Sequence, residues 1–362
     1  MPQTYFTVGP SQIYPTYVQH LQTAMDLNLG SIGHRTSTFR KIYQHTAEQL
    51  RLLLNIPASH AIFFTPSATE IWERILLNTV KCNSFHFVNG AFSQRFYEYA
   101  IALQKSPKIC SIHPGEGFDF SSIHIPEENE LICTTQNETA SGVQIPVSDL
   151  VELKKKYPSQ LLCTDIVSSA PISNIDYDYI DSSFFSVQKA FGMPPGLGVW
   201  IVNESCIQKA QELEALVMNI GAHHTISSFY KNYQTFETPS TPNIIAIYIL
   251  GKIAEDFNKI GIENMRKTSA SKAKLLYNFA DDNSSFQPLV TNPNHRSETV
   301  VVLNTNEDSS LFLEAMAQQG FIISSGYGKF KKSQIRIPNF PSSTEEQMAE
   351  LIYAMGKLIS RK

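Results

Sequence analysis

Between residues 61 and 202 one pattern recurs: a short, mostly apolar run, then a polar turn or a segment of helix length. The runs are Ala61-Ile62-Phe63-Phe64, Phe85-His86-Phe87-Val88, Leu131-Ile132-Cys133-Thr134, Leu161-Leu162-Cys163-Thr164, Phe184-Phe185-Ser186-Val187 and Val199-Trp200-Ile201-Val202. They do not alternate apolar with polar, so each reads as a strand covered on both faces. Strands that alternate with helices argue a mostly parallel sheet between helices, an α/β fold. Helices are expected over Arg95 to Gln104 and over Val147 to Tyr157, where Pro158 stops the second. Ser67 and Glu70 have capping-box spacing after the first strand. Thr38 is expected to cap an earlier helix with Phe39, Ile42, Tyr43, Leu50, Leu53 and Leu54 on its apolar face.

At 362 residues the chain exceeds what one hydrophobic core ordinarily serves, so a second domain is expected. After the proline-rich Thr238-Pro239-Ser240-Thr241-Pro242, a long helical stretch should run to about Ala280. Beyond it, Val300 to Leu303, Phe321 to Ile323 and Gln334 to Ile337 read as strands, with helices over Ser309 to Gln318 and from Ser343 or Thr344 onward. The expected division is an extended N-terminal arm (1–15), a large domain (16–250) and a small α+β domain (251–362).

A formal charge of −4, with no basic tract, speaks against a nucleic-acid partner. The longest apolar run, from Ile244 to Leu250 and a little beyond, is too short to span a bilayer. Met1-Pro2-Gln3-Thr4 opens no signal-peptide pattern. Five cysteines form no CxxC, which fits a reducing cytoplasm and no metal site; Cys110, Cys133 and Cys163 are expected to be buried thiols.

Two residues stand out chemically. Lys189 closes the fifth run, and Asp165 closes the fourth. Parallel strands joined by a crossover bring such residues to one sheet edge, where open α/β sheets bind ligands. Desolvation lowers the pKa of a lysine there and frees its lone pair for Schiff-base chemistry. Pyridoxal phosphate asks for this pair: a lysine to hold its aldehyde and a carboxylate to keep its ring nitrogen protonated. The alternative is a buried structural ion pair.

Further candidates surround them. Ser67-Ala68-Thr69, where a strand turns into a helix, suits a phosphate cradle or an ordinary cap. Gln188 adjoins the lysine and has an amide for the same phosphate. Phe92 suits stacking on a planar ring, or core packing. Thr139, after a strand end, suits a bond to the cofactor's phenolic oxygen, or a turn. Arg336, between Ile335 and Ile337, either snorkels to water or meets a buried anion such as a substrate α-carboxylate. His34 and Arg35 form a second anion-seeking pair, or a surface loop. His223-His224 lacks metal-site spacing and reads as structural.

Asn137-Glu138-Thr139-Ala140-Ser141-Gly142, Asp165 and Ser186-Val187-Gln188-Lys189, in this order, resemble the class V, fold-type I pyridoxal-phosphate aminotransferases. Gly33-His34-Arg35-Thr36, Asn-Glu-Thr and Gln-Lys look most like the phosphoserine branch. Asn89 to Arg95 and Ser-Ala-Thr look more like the alanine–glyoxylate (serine–pyruvate) branch. The resemblance implies a seven-stranded, mostly parallel sheet in the large domain. It also implies a homodimer with shared active sites, amino-acid and 2-oxo-acid substrates, and amino transfer from phosphoserine to 2-oxoglutarate in serine biosynthesis. Lys189 would carry the cofactor and shuttle the proton, and Asp165 would hold the pyridinium. Phe92 would stack on the ring, while Ala68, Thr69 and Gln188 held the phosphate. Thr238 would reach the phosphate of the neighbouring subunit. Arg336 would take the α-carboxylate, and His34 and Arg35 the distal anion. The phosphoserine branch usually carries a second His-Arg doublet before Arg336; here the stretch reads Gly326-Tyr327-Gly328-Lys329-Phe330-Lys331-Lys332, with lysines as point charges instead. A cysteine desulfurase-like lyase is the remaining alternative, but Ser324-Ser325-Gly326-Tyr327 lacks the cysteine it needs.

Overall fold

The structure, a computed structural model, describes residues 3–359. The arm enters as strand β1 (Thr4–Phe6), followed by helices α1 (Tyr17–Asp26) and α2 (Ser37–Leu54). Thr36, not Thr38, caps α2: its backbone is extended and its hydroxyl accepts from the Phe39 N–H at 3.3 Å. The expected apolar face of α2 is buried except for Ile42, which is partly covered.

The alternating region folds as β2 (Ala61–Thr65), α3 (Ala68–Thr79), β3 (Asn83–Val88), α4 (Ala91–Ala102), β4 (Ser106–Ser111) and β5 (Leu131–Thr135). A short hairpin follows, β6 (Asn137–Glu138) with β7 (Val143–Gln144). Then come α5 (Val147–Lys156), β8 (Leu161–Asp165), β9 (Ser182–Ser186) and β10 (Gly198–Val202). Seven of these strands form one sheet in the order β2-β10-β9-β8-β5-β3-β4. It is parallel except at β10, which runs antiparallel to both neighbours. The connection from β9 to β10 contains no helix, and without a crossover the chain can only return antiparallel. Strand β4 was not legible as an apolar run. It is an edge strand, half exposed, and its Pro107 and Lys108 are residues that edges tolerate. Cys110 lies on it and is only partly buried, whereas Cys133 and Cys163 are buried as expected.

Both faces of this sheet are covered. Ile62, Phe64, Phe185, Val199 and Ile201 join one apolar cluster; Ala61, Phe63, Phe184, Trp200 and Val202 join the other. Successive side chains point to opposite faces, so every strand needs apolar residues at consecutive positions.

The chain continues through α6 (Glu204–Ala215), α7 (Ile226–Tyr233), α8 (Ile244–Ile260) and α9 (Ile262–Asp281). The single helical stretch expected to reach Ala280 breaks at Gly261 into α8 and α9. The boundary expected at 250/251 falls inside α8, which packs on α2. The rest comprises β11 (Phe286–Pro288), β12 (Val300–Thr305), α10 (Ser309–Gln318), β13 (Phe321–Ser325), β14 (Gln334–Pro338) and α11 (Glu345–Ile359). Thr344 caps α11 reciprocally with Gln347. The smaller sheet has the order β1-β13-β14-β12-β11, so the N-terminal arm is an edge strand of the C-terminal unit. No helix among the described residues is long and apolar enough to cross a membrane.

Candidate active site

Strands β8 and β9 run parallel, so Asp165 and the turn after Ser186 emerge at the same edge. Asp165 is 3% exposed and Lys189 8%. No ion pair joins them. The Lys189 amine donates to the Val8 carbonyl at 2.5 Å. One Asp165 oxygen accepts from the Val167 N–H at 2.8 Å, the other from the Trp72 indole N–H at 3.2 Å. Each group nonetheless feels the other's charge. The arrangement has the form of a site for something held between an amine and a carboxylate.

Burial pushes Lys189 down to about 8, with the Arg336 charge adding to the effect and Asp165 and Glu138 opposing it. Burial pushes Asp165 up to about 7 against its two hydrogen bonds. A cationic ring nitrogen beside Asp165 would favour its charged form. The Lys189 amine lies 5.9 Å from the centre of the Phe92 ring. Ser67 caps α3 by accepting from the Glu70 N–H at 3.3 Å, which leaves the first turn of that helix facing the same edge. The Ala68 N–H sits 3.5 Å from the Ser186 hydroxyl, which ties this turn to the end of β9. The Gln188 side-chain oxygen is buried with no partner, an orphan that an anion's donor–acceptor set would absorb once the amide is turned. Thr139 is buried and bonds the Ser168 hydroxyl. A neutralisable amine, a carboxylate, a helix start and an orphaned amide are a fitting donor set for pyridoxal phosphate.

Arg336 lies on β14 of the smaller sheet, 9% exposed. Its Nε donates to the Ser325 carbonyl at 2.9 Å, and its guanidinium sits 5.5 Å from the centre of the Tyr327 ring. Among the described residues no carboxylate forms an ion pair with it, and burial lowers it to about 10 against the opposing influence of Tyr327 and Glu138. A buried, unpaired guanidinium is a receptor for a carboxylate.

His34, Arg35 and Thr238 gather elsewhere. Arg35 and Arg40 both grip Glu237, and Arg35 also bonds Asn232 at 2.8 Å. His34 approaches the Thr241 hydroxyl at 3.3 Å, and the Thr238 hydroxyl donates to the Ser240 carbonyl at 2.8 Å. This segment reaches the cradle helix through His224, which meets Glu70 at 2.6 Å and the Ser240 hydroxyl at 3.4 Å. Of the loop lysines, Lys332 pairs with Asp308 at 3.3 Å and Lys329 lies over the Phe330 ring.

Four residues near the site were not singled out from the sequence: Trp72, Glu138, Tyr327 and Arg95. Tyr327 packs on Phe92 with ring centres 5.3 Å apart, and its hydroxyl accepts from Arg95 at 2.9 Å. No local pattern marks these contacts, which span up to 235 residues of chain, from Phe92 to Tyr327.

The family model for aminotransferase class-V matches residues 5–330. The crystal structure of a phosphoserine aminotransferase from Cytophaga hutchinsonii is similar over 99% of both chains, with 40% identity and a TM-score of 0.97. The phosphoserine aminotransferase of Rhodococcus opacus is 23% identical over 98% of this chain and 95% of its own. A subgroup IV aspartate aminotransferase from Thermus thermophilus shares the fold, at 19% identity and a TM-score of 0.84 over 99% of both chains. The chain belongs to the class-V aminotransferases, enzymes that depend on pyridoxal phosphate.

Proposed function

We propose that this enzyme moves the amino group of L-phosphoserine to 2-oxoglutarate, the transamination of serine biosynthesis, and that it does so as a homodimer. The observation that carries this reading is the likeness to the Cytophaga hutchinsonii phosphoserine aminotransferase, 40% identical over 99% of both chains.

Pyridoxal phosphate, when bound, supplies the electron sink. Lys189 holds it and then carries the proton as general acid and base, a role suited to an amine lowered to about 8. Asp165 keeps the ring nitrogen cationic, oriented by Trp72 and Val167. Ser67, Ala68, Thr69 and Gln188 hold the phosphate, Thr139 the phenolic oxygen, and Phe92 one face of the ring. Arg336 binds the α-carboxylate of each substrate in turn. Thr238 reaches the phosphate of the neighbouring subunit, and His34 and Arg35 face the distal anion of the substrate. Support for their acting together comes from Arg35 gripping Glu237 and His34 approaching Thr241 at 3.3 Å, on either side of Thr238.

A second reading, an alanine–glyoxylate or serine–pyruvate type of aminotransferase, is favoured by the 326–332 loop. It carries Tyr327 against Phe92 where a guanidinium would suit a phosphate, and Lys332 is engaged by Asp308. A lyase acting on cysteine has no support: the five cysteines lie at 82, 110, 133, 163 and 206, outside that loop. The deciding experiment is a panel of phosphoserine, alanine, serine and glutamate, each followed by conversion of the bound cofactor to its amine form. Rapid conversion by phosphoserine and glutamate but not by alanine supports the first reading; the reverse establishes the second. Sedimentation at assay concentration tests the dimer.

A further inference from the structure

Glu138 is a fully buried carboxylate (0% exposed) that stands on β6, one residue before Thr139. It makes no ion pair among the described residues. Its partners are instead the first turn of α4 and its own hairpin. One oxygen accepts from the Phe92 N–H at 3.1 Å, the Ser93 N–H at 2.8 Å and the Ser93 hydroxyl at 2.9 Å; the other accepts from the Ala140 N–H at 3.0 Å. Free N–H groups at a helix start attract negative charge, so a carboxylate there is held firmly. The fit is also close. A Cβ on Gly90 would fall 2.3 Å from Glu138 Cγ and 2.5 Å from its carboxyl carbon. Only glycine at position 90 lets the carboxylate reach the helix.

Phe92 is the second residue of α4, and its backbone N–H is among the groups that Glu138 grips. The direction of the Phe92 ring therefore depends on Glu138. The Thr139–Ala140 turn depends on it too, since Glu138 accepts from Ala140 while its backbone carbonyl takes the Gly142 N–H at 2.8 Å. Two walls of the site meet on one carboxylate.

We propose that Glu138 is a positioning residue for the cofactor: it fixes the Phe92 wall against the Thr139 wall and contributes negative charge to the Lys189 pocket. This rests on the assignment of Phe92 and Thr139 to the cofactor ring. The charged groups around Lys189 are then Asp165, Glu138 and Arg336. With the lysine nitrogen attached to the cofactor, a nearby carboxylate favours its protonated form.

The test uses the holoenzyme and needs no substrate. Glu138→Gln keeps the size but removes the charge and one acceptor. It is expected to weaken pyridoxal phosphate binding about tenfold, from the loss of charge-assisted hydrogen bonds. The visible absorbance titration of the attached Lys189 nitrogen should move to lower pH by about one unit. The visible circular dichroism of the cofactor should weaken, because its ring is less firmly held. Glu138→Asp should restore the titration but not the dichroism, which separates charge from reach. Ser93→Ala, which loosens the contact from the helix side, should lower the dichroism with the titration unmoved. A Glu138→Gln protein with lowered Tm but unaltered affinity, titration and dichroism would overturn the proposal. Should the Glu138 variants fail to fold, unchanged dichroism in Ser93→Ala overturns it. Wild-type protein that takes up no pyridoxal phosphate would instead defeat the reading of the whole site.

Discussion

The Lys189 amine donates a hydrogen bond to the carbonyl of Val8, 181 residues earlier in the chain. The N-terminal arm thus crosses the site and closes over the lysine. It is anchored on one side by β1 in the smaller sheet, and on the other by the Ser11 hydroxyl, which donates to the Lys189 carbonyl at 2.6 Å. Through this arm the lysine of one sheet is tied to the sheet that carries Arg336.

Gly9 is the residue that makes this crossing possible. Its φ is +138°, and a Cβ there would lie 2.6 Å from Lys189 Nζ. Gly9→Ala must displace either the arm or the amine. Turnover is expected to fall at least about tenfold, an added barrier of about 1.4 kcal/mol, with cofactor uptake slowed. Steady-state rates and uptake followed by visible absorbance check this; unchanged values would show that the arm yields freely.

Lys189→Ala removes the amine and should abolish turnover, leaving no borohydride-stable adduct at position 189 by mass spectrometry. Asp165→Ala would leave the cationic ring nitrogen of the proposed site without its buried partner. A broken buried pair costs about 3–5 kcal/mol, which lowers the rate roughly a hundred- to several-thousand-fold if felt at the transition state. Single-turnover kinetics measure both.

Trp72 deserves a variant of its own because its indole N–H holds Asp165 at 3.2 Å inside the core. Trp72→Phe keeps most of the packing but deletes that donor. A hydrogen bond to a charged acceptor is worth about 1.5–3 kcal/mol. The expected loss is therefore about ten- to a hundredfold in kcat, with KM little changed. A Tm scan alongside separates the packing loss from the chemical one.

The pH dependence follows from Lys189. Burial and Arg336 bring it to about 8, below an ordinary lysine, so its neutral form appears at lower pH. In cofactor-free protein, the rate of attachment should rise as pH rises through 8 and then level off. An unperturbed lysine would keep gaining until past about 10. Stopped-flow absorbance across this range tells the two apart.

Arg336→Lys keeps a positive charge but loses the planar fork that grips a carboxylate with two parallel bonds. KM should rise about tenfold or more for both the amino acid and the 2-oxo acid, because in the proposed site each would present its α-carboxylate to the same residue. Initial-rate measurements with each substrate varied in turn check it. An unchanged KM for both would remove Arg336 from the binding site.

Much of the large sheet was legible because burial on both faces leaves a local mark. Runs such as Leu161 to Thr164 have no polar alternation, and six of the seven strands show it. Strand β4 did not, since an edge strand is half exposed and its composition resembles a loop. The cap of α2 was misplaced by two residues because Thr36 and Thr38 are equally good acceptors, and only the backbone entering at Thr36 selects between them. Asp165 and Lys189 stood out in the sequence because each closes an apolar run. Trp72 and Glu138 were passed over because an indole on a core-facing helix and a carboxylate in a turn carry no local sign of what they bond.

The order of residues along the chain was enough to specify an α/β sheet, a carboxylate and an amine at its edge, and a separate arginine far downstream. These follow from periodicity and strand length, which each segment encodes by itself. Tertiary structure alone decided that the arm would lie across Lys189, that Glu138 would grip the start of α4, and that Arg35 would be occupied by Glu237. Such contacts join distant segments whose meeting depends on how whole surfaces pack.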